Sequence, residues 1–152
     1  MPIDLRPALP LLLPAAIAWA EARSQDAAAA GAALNERGIT IARAAGVQRP
    51  ELIRVSLVES LPLPEEATLR GAALQTGLLG PGMVGLTLGS SVLVYSGHET
   101  VRVLSHEFRH VHQYEAYGSI AGFLPVYLQQ IVEFGYPNAP LEIDARAHEG
   151  DT

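Results

Sequence analysis

Residues Val101 to Tyr117 read VRVLSHEFRHVHQYEAY, and no Gly or Pro interrupts the chain there before Gly118. Apolar and polar residues are mixed along the stretch, which predicts a helix. Within it, His106, Glu107, Phe108, Arg109 and His110 spell H-E-x-x-H. At about 3.6 residues per turn the two histidines stand one turn apart and about 40° apart around the axis, so both imidazoles can reach one ion. Glu107 lies about 100° from His106, close enough to address a water on that ion without ligating it. Zinc lowers the pKa of such a water from about 15.7 to about 7 and polarises a carbonyl. Glu107 is therefore expected to act as general base, taking the proton and returning it to a leaving amine. The competing reading is a chance pair of histidines on an exposed helix face.

A zinc site of this kind needs a third protein ligand. Glu115, Glu133, Glu142, Asp144, His148 and Glu149 follow the motif and carry suitable atoms. The metzincin arrangement, with Gly and then His at fixed places after the second histidine, fails because those places hold Gln113 and Ala116. The ligand must come from another helix. Gln113, Tyr114 and Tyr117 project from the same half of the helix as the two histidines. Tyr114 or Tyr136 could donate a hydrogen bond to a developing oxyanion; aromatic packing between helices is the competing role for each. His112 falls roughly 200° from His110 and should face away. His98 precedes the helix and is placed to shape its start.

Working outward, helical character returns at Ile120 to Phe134 and around Ala139 to His148. Upstream, Met83 to Leu88 and Ser91 to Tyr95 flank Gly89 and Ser90, a hairpin signal. Ser91 to Tyr95 is a candidate edge to which an extended peptide adds, its alternative being an ordinary core strand. Leu52 to Leu61 is a β-branched run closed by Pro62 and Pro64, and Glu65 to Leu74 suits a short helix. Two or three antiparallel strands are thus expected ahead of the motif. From Pro14 to Ala45, Ala, Leu, Glu and Arg predominate, predicting one long helix or two consecutive ones ending at Gly46. Trp19, Arg23, Ala30, Leu34, Ile41 and Ala45 recur at roughly helical spacing and are read as core. The order of helix, small sheet and helices indicates an α+β domain, read as one unit over residues 1–152.

Asn138 to Arg146, NAPLEIDAR, resembles the second zinc element of the gluzincin metallopeptidases, in which a Glu on a later helix completes a His, His, Glu site. Small members of that clan, the minigluzincins, carry a long N-terminal helix, a small and mostly antiparallel sheet, the H-E-x-x-H helix and the Glu helix. The resemblance covers residues 52–149 and implies a zincin-like fold, Zn2+ as cofactor, Glu142 as third ligand beside His106 and His110, and a peptide or protein as substrate. It also implies that Ala145, one turn on, lets the two zinc helices approach. One departure stands out. Many gluzincins hold a zinc-bound imidazole with an Asp or Asn four residues after the ligand Glu, and Arg146 occupies that place. Asp144 is an alternative partner, although two residues from Glu142 it should point elsewhere.

Composition narrows the partners. The chain has 152 residues, 49% of them hydrophobic and 17% charged, enough for one sizeable core. A net charge of -6 without a Lys/Arg stripe argues against nucleic acid. There is no cysteine, so any metal must be held by His, Asp or Glu. Leu9 to Ala20 is apolar but too short to span a bilayer, which takes about 20 residues. Its end, Ala18, Trp19, Ala20, resembles a signal-peptidase site, yet Pro10 and Pro14 interrupt it, so a helix packed on the core in a cytoplasmic protein is the preferred reading. Beside a metallopeptidase, a zinc-binding regulatory or interaction module with little turnover also fits this sequence.

Overall fold

The computed structural model describes residues 3–151. Helix α1 (Leu5–Ala30) begins at Asp4, whose carboxylate accepts from the Arg6 amide at 3.2 Å. Pro10 and Pro14 both lie inside it. The helix starts ahead of the Pro14–Ala45 range read from composition, and the apolar Leu9–Ala20 stretch belongs to it with Leu9 and Ala20 buried, as its reading as a core-packed helix expects. It stops at Gly31, where a Cβ would lie 2.8 Å from the Ala27 carbonyl and 3.0 Å from that of Val55. Only a residue without a side chain lets the helix end cross so close to the sheet.

Strand β1 (Ala32–Ala33) follows, then α2 (Glu36–Ala44), capped by Asn35. A 3-10 turn at Pro50–Leu52 leads into β2 (Arg54–Val58), and α3 (Ala67–Thr76) connects this to the hairpin β3 (Gly85–Leu88) and β4 (Ser91–Tyr95). Helices α4 (Val101–Tyr117), α5 (Ile120–Phe134) and α6 (Pro140–Ala147) complete the described chain. The α+β class is as expected, and the break between α1 and α2 falls at Gly31. The supposed stripe is partial: Ala45 is buried, Leu34 and Ile41 pack on a core, but Ala30 is exposed.

The sheet is mixed and four-stranded, in the order β1-β2-β4-β3. β1 and β3 pair antiparallel with β2 and β4 respectively, whereas β2 and β4 run parallel, Arg54 opposite Ser91 through Val58 opposite Tyr95. The hairpin is antiparallel as expected, and the departure from an antiparallel arrangement is the parallel pairing of β2 with β4. The crossover through α3 returns the chain so that the second strand of the hairpin, not the first, meets β2. β4 is therefore interior rather than an edge, as befits its nearly continuous apolar run; the edge on that side is β3.

Alternation along β4 feeds two cores. Val92 and Val94, both 0% exposed, face α2 and α4 with Ile53, Phe108 and Val111. Leu93 and Leu88 face the other way, with Ala20 and Ala27 of α1, Tyr114, and Phe123, Tyr127 and Ile131 of α5. Helix α4 thus has one flank in each core, which fixes its rotation and so the direction of its histidines. Among the described residues no helix is long and apolar enough to cross a membrane.

Candidate metal centre

Thr100 caps α4 through its side chain, which accepts from the Val103 amide, and the helix then runs unbroken to Gly118. His106 and His110 come to lie with ring centroids 5.0 Å apart and planes at 74°. They are not on an exposed face: His110 is 7% exposed, and the His106 side chain 14%. Both Nε2 atoms point at Glu142, His106 to Oε1 at 3.2 Å and His110 to Oε2 at 2.9 Å.

Glu142 reaches this point because α6 opens with Pro140 after a fully buried Ala139, placing the carboxylate in the first helical turn. There the helix dipole favours a negative charge. Ala145, one turn on, is 0% exposed, so no bulk separates α6 from α4, against which it packs. Glu142 itself is 1% exposed, and its Oε2 also accepts from the Tyr127 hydroxyl at 2.8 Å. Ligand-type atoms of His106, His110 and Glu142 all lie within 4.8 Å of one another.

The opposite ring nitrogens are held as a metal site requires. His106 Nδ1 meets Glu149 Oε2 at 2.8 Å, and His110 Nδ1 meets the Gln113 side-chain carbonyl oxygen at 2.8 Å. An acceptor at each Nδ1 keeps the proton there and leaves Nε2 free to bind an ion. Gln113 is fixed in turn, its amide donating to the Leu141 carbonyl and to Asp144 Oδ2, while Arg109 grips Asp144 with Nε at 2.8 Å and NH2 at 3.2 Å. The same guanidinium donates to the Ala45 carbonyl, tying in α2. Asp144 therefore acts one step removed from the histidine, and Arg146 turns away to donate to the Pro137 carbonyl. The partners of the two Nδ1 atoms are thus Glu149 and Gln113, not Asp144 or Arg146.

Burial disfavours an imidazolium at His106, but the bond to Glu142 and the charges of Glu107 and Glu142 outweigh it and push its pKa up to about 9. His110 is raised against the same burial by the same carboxylate. Burial would raise Glu142, yet its bonds from His106 and His110 hold it well below the carboxylate range. Two imidazole nitrogens and a carboxylate converging on one point, each steered from behind, could hold a metal ion.

Glu107 stands beside this triad rather than in it. Its Oε1 accepts from the Thr87 hydroxyl at 2.8 Å, and its Oε2 packs against Gly85, where a Cβ would come within 2.9 Å. Tyr114 is buried; its hydroxyl donates to the Thr87 carbonyl at 3.2 Å and its ring lies on Phe123 at 3.9 Å between centroids. Burial and the charge of Glu107 raise its pKa well above the usual phenol value. Tyr127 and Tyr136 are the tyrosines at Glu142, both raised by burial and by its charge. A cavity of about 130 Å³ adjoins Glu107, His110 and Glu142 and also touches Tyr114 and Tyr136.

The remaining sequence candidates lie elsewhere. His112 Nδ1 meets the Gly46 carbonyl, His148 Nδ1 the Asp144 carbonyl, and Glu115 accepts from the amides of Gln48 and Arg49. Glu133 is exposed, and His98 packs edge-on to Tyr95. Sequence reading missed Tyr127, whose heptad-like place on an apolar helix carries no signal beyond packing, and considered Glu149 only as a ligand.

No family model, curated protein or solved structure matches this chain.

Proposed function

We propose that this protein is a zinc-dependent metallopeptidase of the gluzincin kind, with His106, His110 and Glu142 as ligands and Glu107 as general base. The observation that carries the reading is the convergence of the H-E-x-x-H imidazoles on a buried Glu from a separate helix, with both Nδ1 atoms already engaged. Bound there, zinc would polarise a substrate carbonyl and acidify a water. Glu107, carrying no metal bond, would receive the proton and pass it to the departing amine. Thr87 holds one oxygen of that carboxylate and leaves the other for this work. Tyr114 supports the wall behind Glu107, and Tyr136, half-buried and close to Glu142, is the better placed oxyanion donor of the two tyrosines read from the sequence. The substrate on this reading is a peptide or protein.

A specific observation favours a second reading, a zinc-binding regulatory or interaction module. The centre is nearly closed, with Glu107 8% and Glu142 1% exposed, so a peptide needs the walls to part before it reaches the ligands. Zinc content and hydrolysis of a peptide library, measured together, decide between them. One zinc per chain, lost in His110→Ala and Glu142→Ala, with cleavage abolished in Glu107→Gln, supports the peptidase. Zinc without cleavage supports the module, and absence of zinc after reconstitution removes both.

A further inference from the structure

Gln113 stands between the two helices that carry the ligands, and it is buried with both ends of its carboxamide engaged. The oxygen faces His110 Nδ1 at 2.8 Å, while the nitrogen donates to the Leu141 carbonyl at 2.9 Å and to Asp144 Oδ2 at 2.8 Å. A carboxamide turned end for end has almost the same shape but exchanged donors and acceptors. Reversed, Gln113 would donate to His110 Nδ1, the ring would carry its proton on Nε2, and the atom that points at Glu142 would be closed to an ion. The two acceptors on the far side forbid this, because an amide oxygen turned toward a carbonyl and a carboxylate would bring acceptors face to face in a buried place and leave them unmade.

Of those two acceptors, the Leu141 carbonyl is fixed by the backbone of α6. Asp144 is freer, with 34% of its side chain in solvent, and Arg109 is what holds it inward. The guanidinium grips the carboxylate at two points, Nε to Oδ2 at 2.8 Å and Nη2 to Oδ1 at 3.2 Å, a fork that an ammonium cannot reproduce. Its third nitrogen, Nη1, donates to the Ala45 carbonyl at the end of α2 at 2.9 Å. The backbone makes room for the guanidinium there: Gly46 has φ +96°, and a Cβ on it would lie 2.8 Å from Nη1. An unbroken set of oriented bonds thus runs from the end of α2 to the rear of His110.

We propose that Arg109 is a positioning residue of the metal centre: by holding Asp144 against Gln113 it fixes which way the Gln113 carboxamide points, and so commits the His110 proton to Nδ1 and the His110 Nε2 lone pair to the ion. The inference rests on the metal-centre part of the proposed function. It gives the residue just before the second histidine a task of its own, distinct from that of an ion pair that merely fastens α6 to α4.

The test is a double-mutant cycle of Arg109→Met and Gln113→Leu, read by zinc affinity in competition with a chromophoric chelator and by urea unfolding of the metal-free protein. Arg109→Met alone should weaken zinc binding about 10-fold, as for other groups that stand behind a ligand. In the Gln113→Leu background it should weaken zinc no further, whereas its cost in stability should persist in both backgrounds. Nitrogen NMR of isotope-labelled histidine supplies a second readout on metal-free protein, in solution alkaline enough to leave the imidazoles neutral. His110 should carry its proton on Nδ1 in the wild type and be a mixture of the two forms in Arg109→Met. Asp144→Ala, which removes the same acceptor without touching α2, should repeat the pattern and keeps the test open if the arginine variant does not fold. Unchanged zinc affinity in Arg109→Met, an equal loss in both backgrounds, or His110 protonated on Nδ1 alone in both Arg109→Met and Asp144→Ala overturns the proposal and leaves the pair a fastening. Wild-type protein that takes up no zinc overturns the metal-centre reading, and the histidine spectra then decide the proposal by themselves.

Discussion

Replacing Gly85 by Ala should destabilise the protein because of one carboxylate. The added Cβ would lie 2.9 Å from Glu107 Oε2 and 3.0 Å from both Cγ and Cδ. Neither side can yield easily. Gly85 is paired with Val94 in the β3–β4 ladder, and Glu107 is tied at Oε1 by the Thr87 hydroxyl at 2.8 Å. Crowding of this kind costs about 1–3 kcal/mol, while exchanging Gly for Ala in a strand returns about 0.5–1 kcal/mol. The net, up to about 2.5 kcal/mol, corresponds to a melting temperature lower by up to about 10 °C in a chain of this size. The assay is a double-mutant cycle read by thermal and urea unfolding of the metal-free protein. In the Glu107→Ala background the clash is gone, so the second Gly85→Ala substitution should become neutral or stabilising. The same cost in both backgrounds would refute the claim that Gly85 makes room for the Glu107 carboxylate.

Other consequences follow from the bonds behind the ligands. Gln113→Leu removes the acceptor at His110 Nδ1, and zinc affinity in a chelator competition should fall about 10- to 100-fold; an unchanged affinity would mean that the ring needs no such support. Tyr127→Phe takes a donor from the buried Glu142 carboxylate and should cost the metal-free protein about 1–3 kcal/mol in urea unfolding, a loss that would be absent if the hydroxyl were idle. Because the pKa of His106 in the metal-free fold is raised from 6.5 to about 9, that imidazole is protonated at neutral pH, and zinc must displace the proton. Zinc affinity should therefore rise with pH toward about 9, with proton release detectable in weakly buffered solution; pH-independent uptake would contradict the assignment.

Much of the architecture was legible because the relevant signals are local. A helix over Val101–Tyr117 follows from an unbroken mixed pattern, Ile120–Phe134 from its length and apolar periodicity, and Ser91–Tyr95 from a β-branched run after a Gly-Ser turn. The parallel pairing of β2 with β4 was not legible, because strand order depends on which way the α3 crossover returns. Composition alone put the start of α1 nearer Pro14 than Leu5, whereas the apolar Leu9–Ala20 stretch, read as a helix packed on the core, does belong to it, with Leu9 and Ala20 buried.

The centre divides along the same line. By itself the sequence determined that His106 and His110 share a helix face one turn apart, since the period of an α-helix sets that geometry before any packing occurs. It also determined that no thiolate takes part. Which carboxylate meets them was open to spacing arguments, because a contact 32 residues beyond His110 rests on how α6 lies against α4, and that in turn rests on the buried Ala139 and Ala145. The same packing turned Glu149 and Gln113 onto the two Nδ1 atoms, brought Tyr127 to Glu142, and set Glu107 against Gly85. Contacts between elements distant in sequence carry no periodicity to read, so only the tertiary structure decided them.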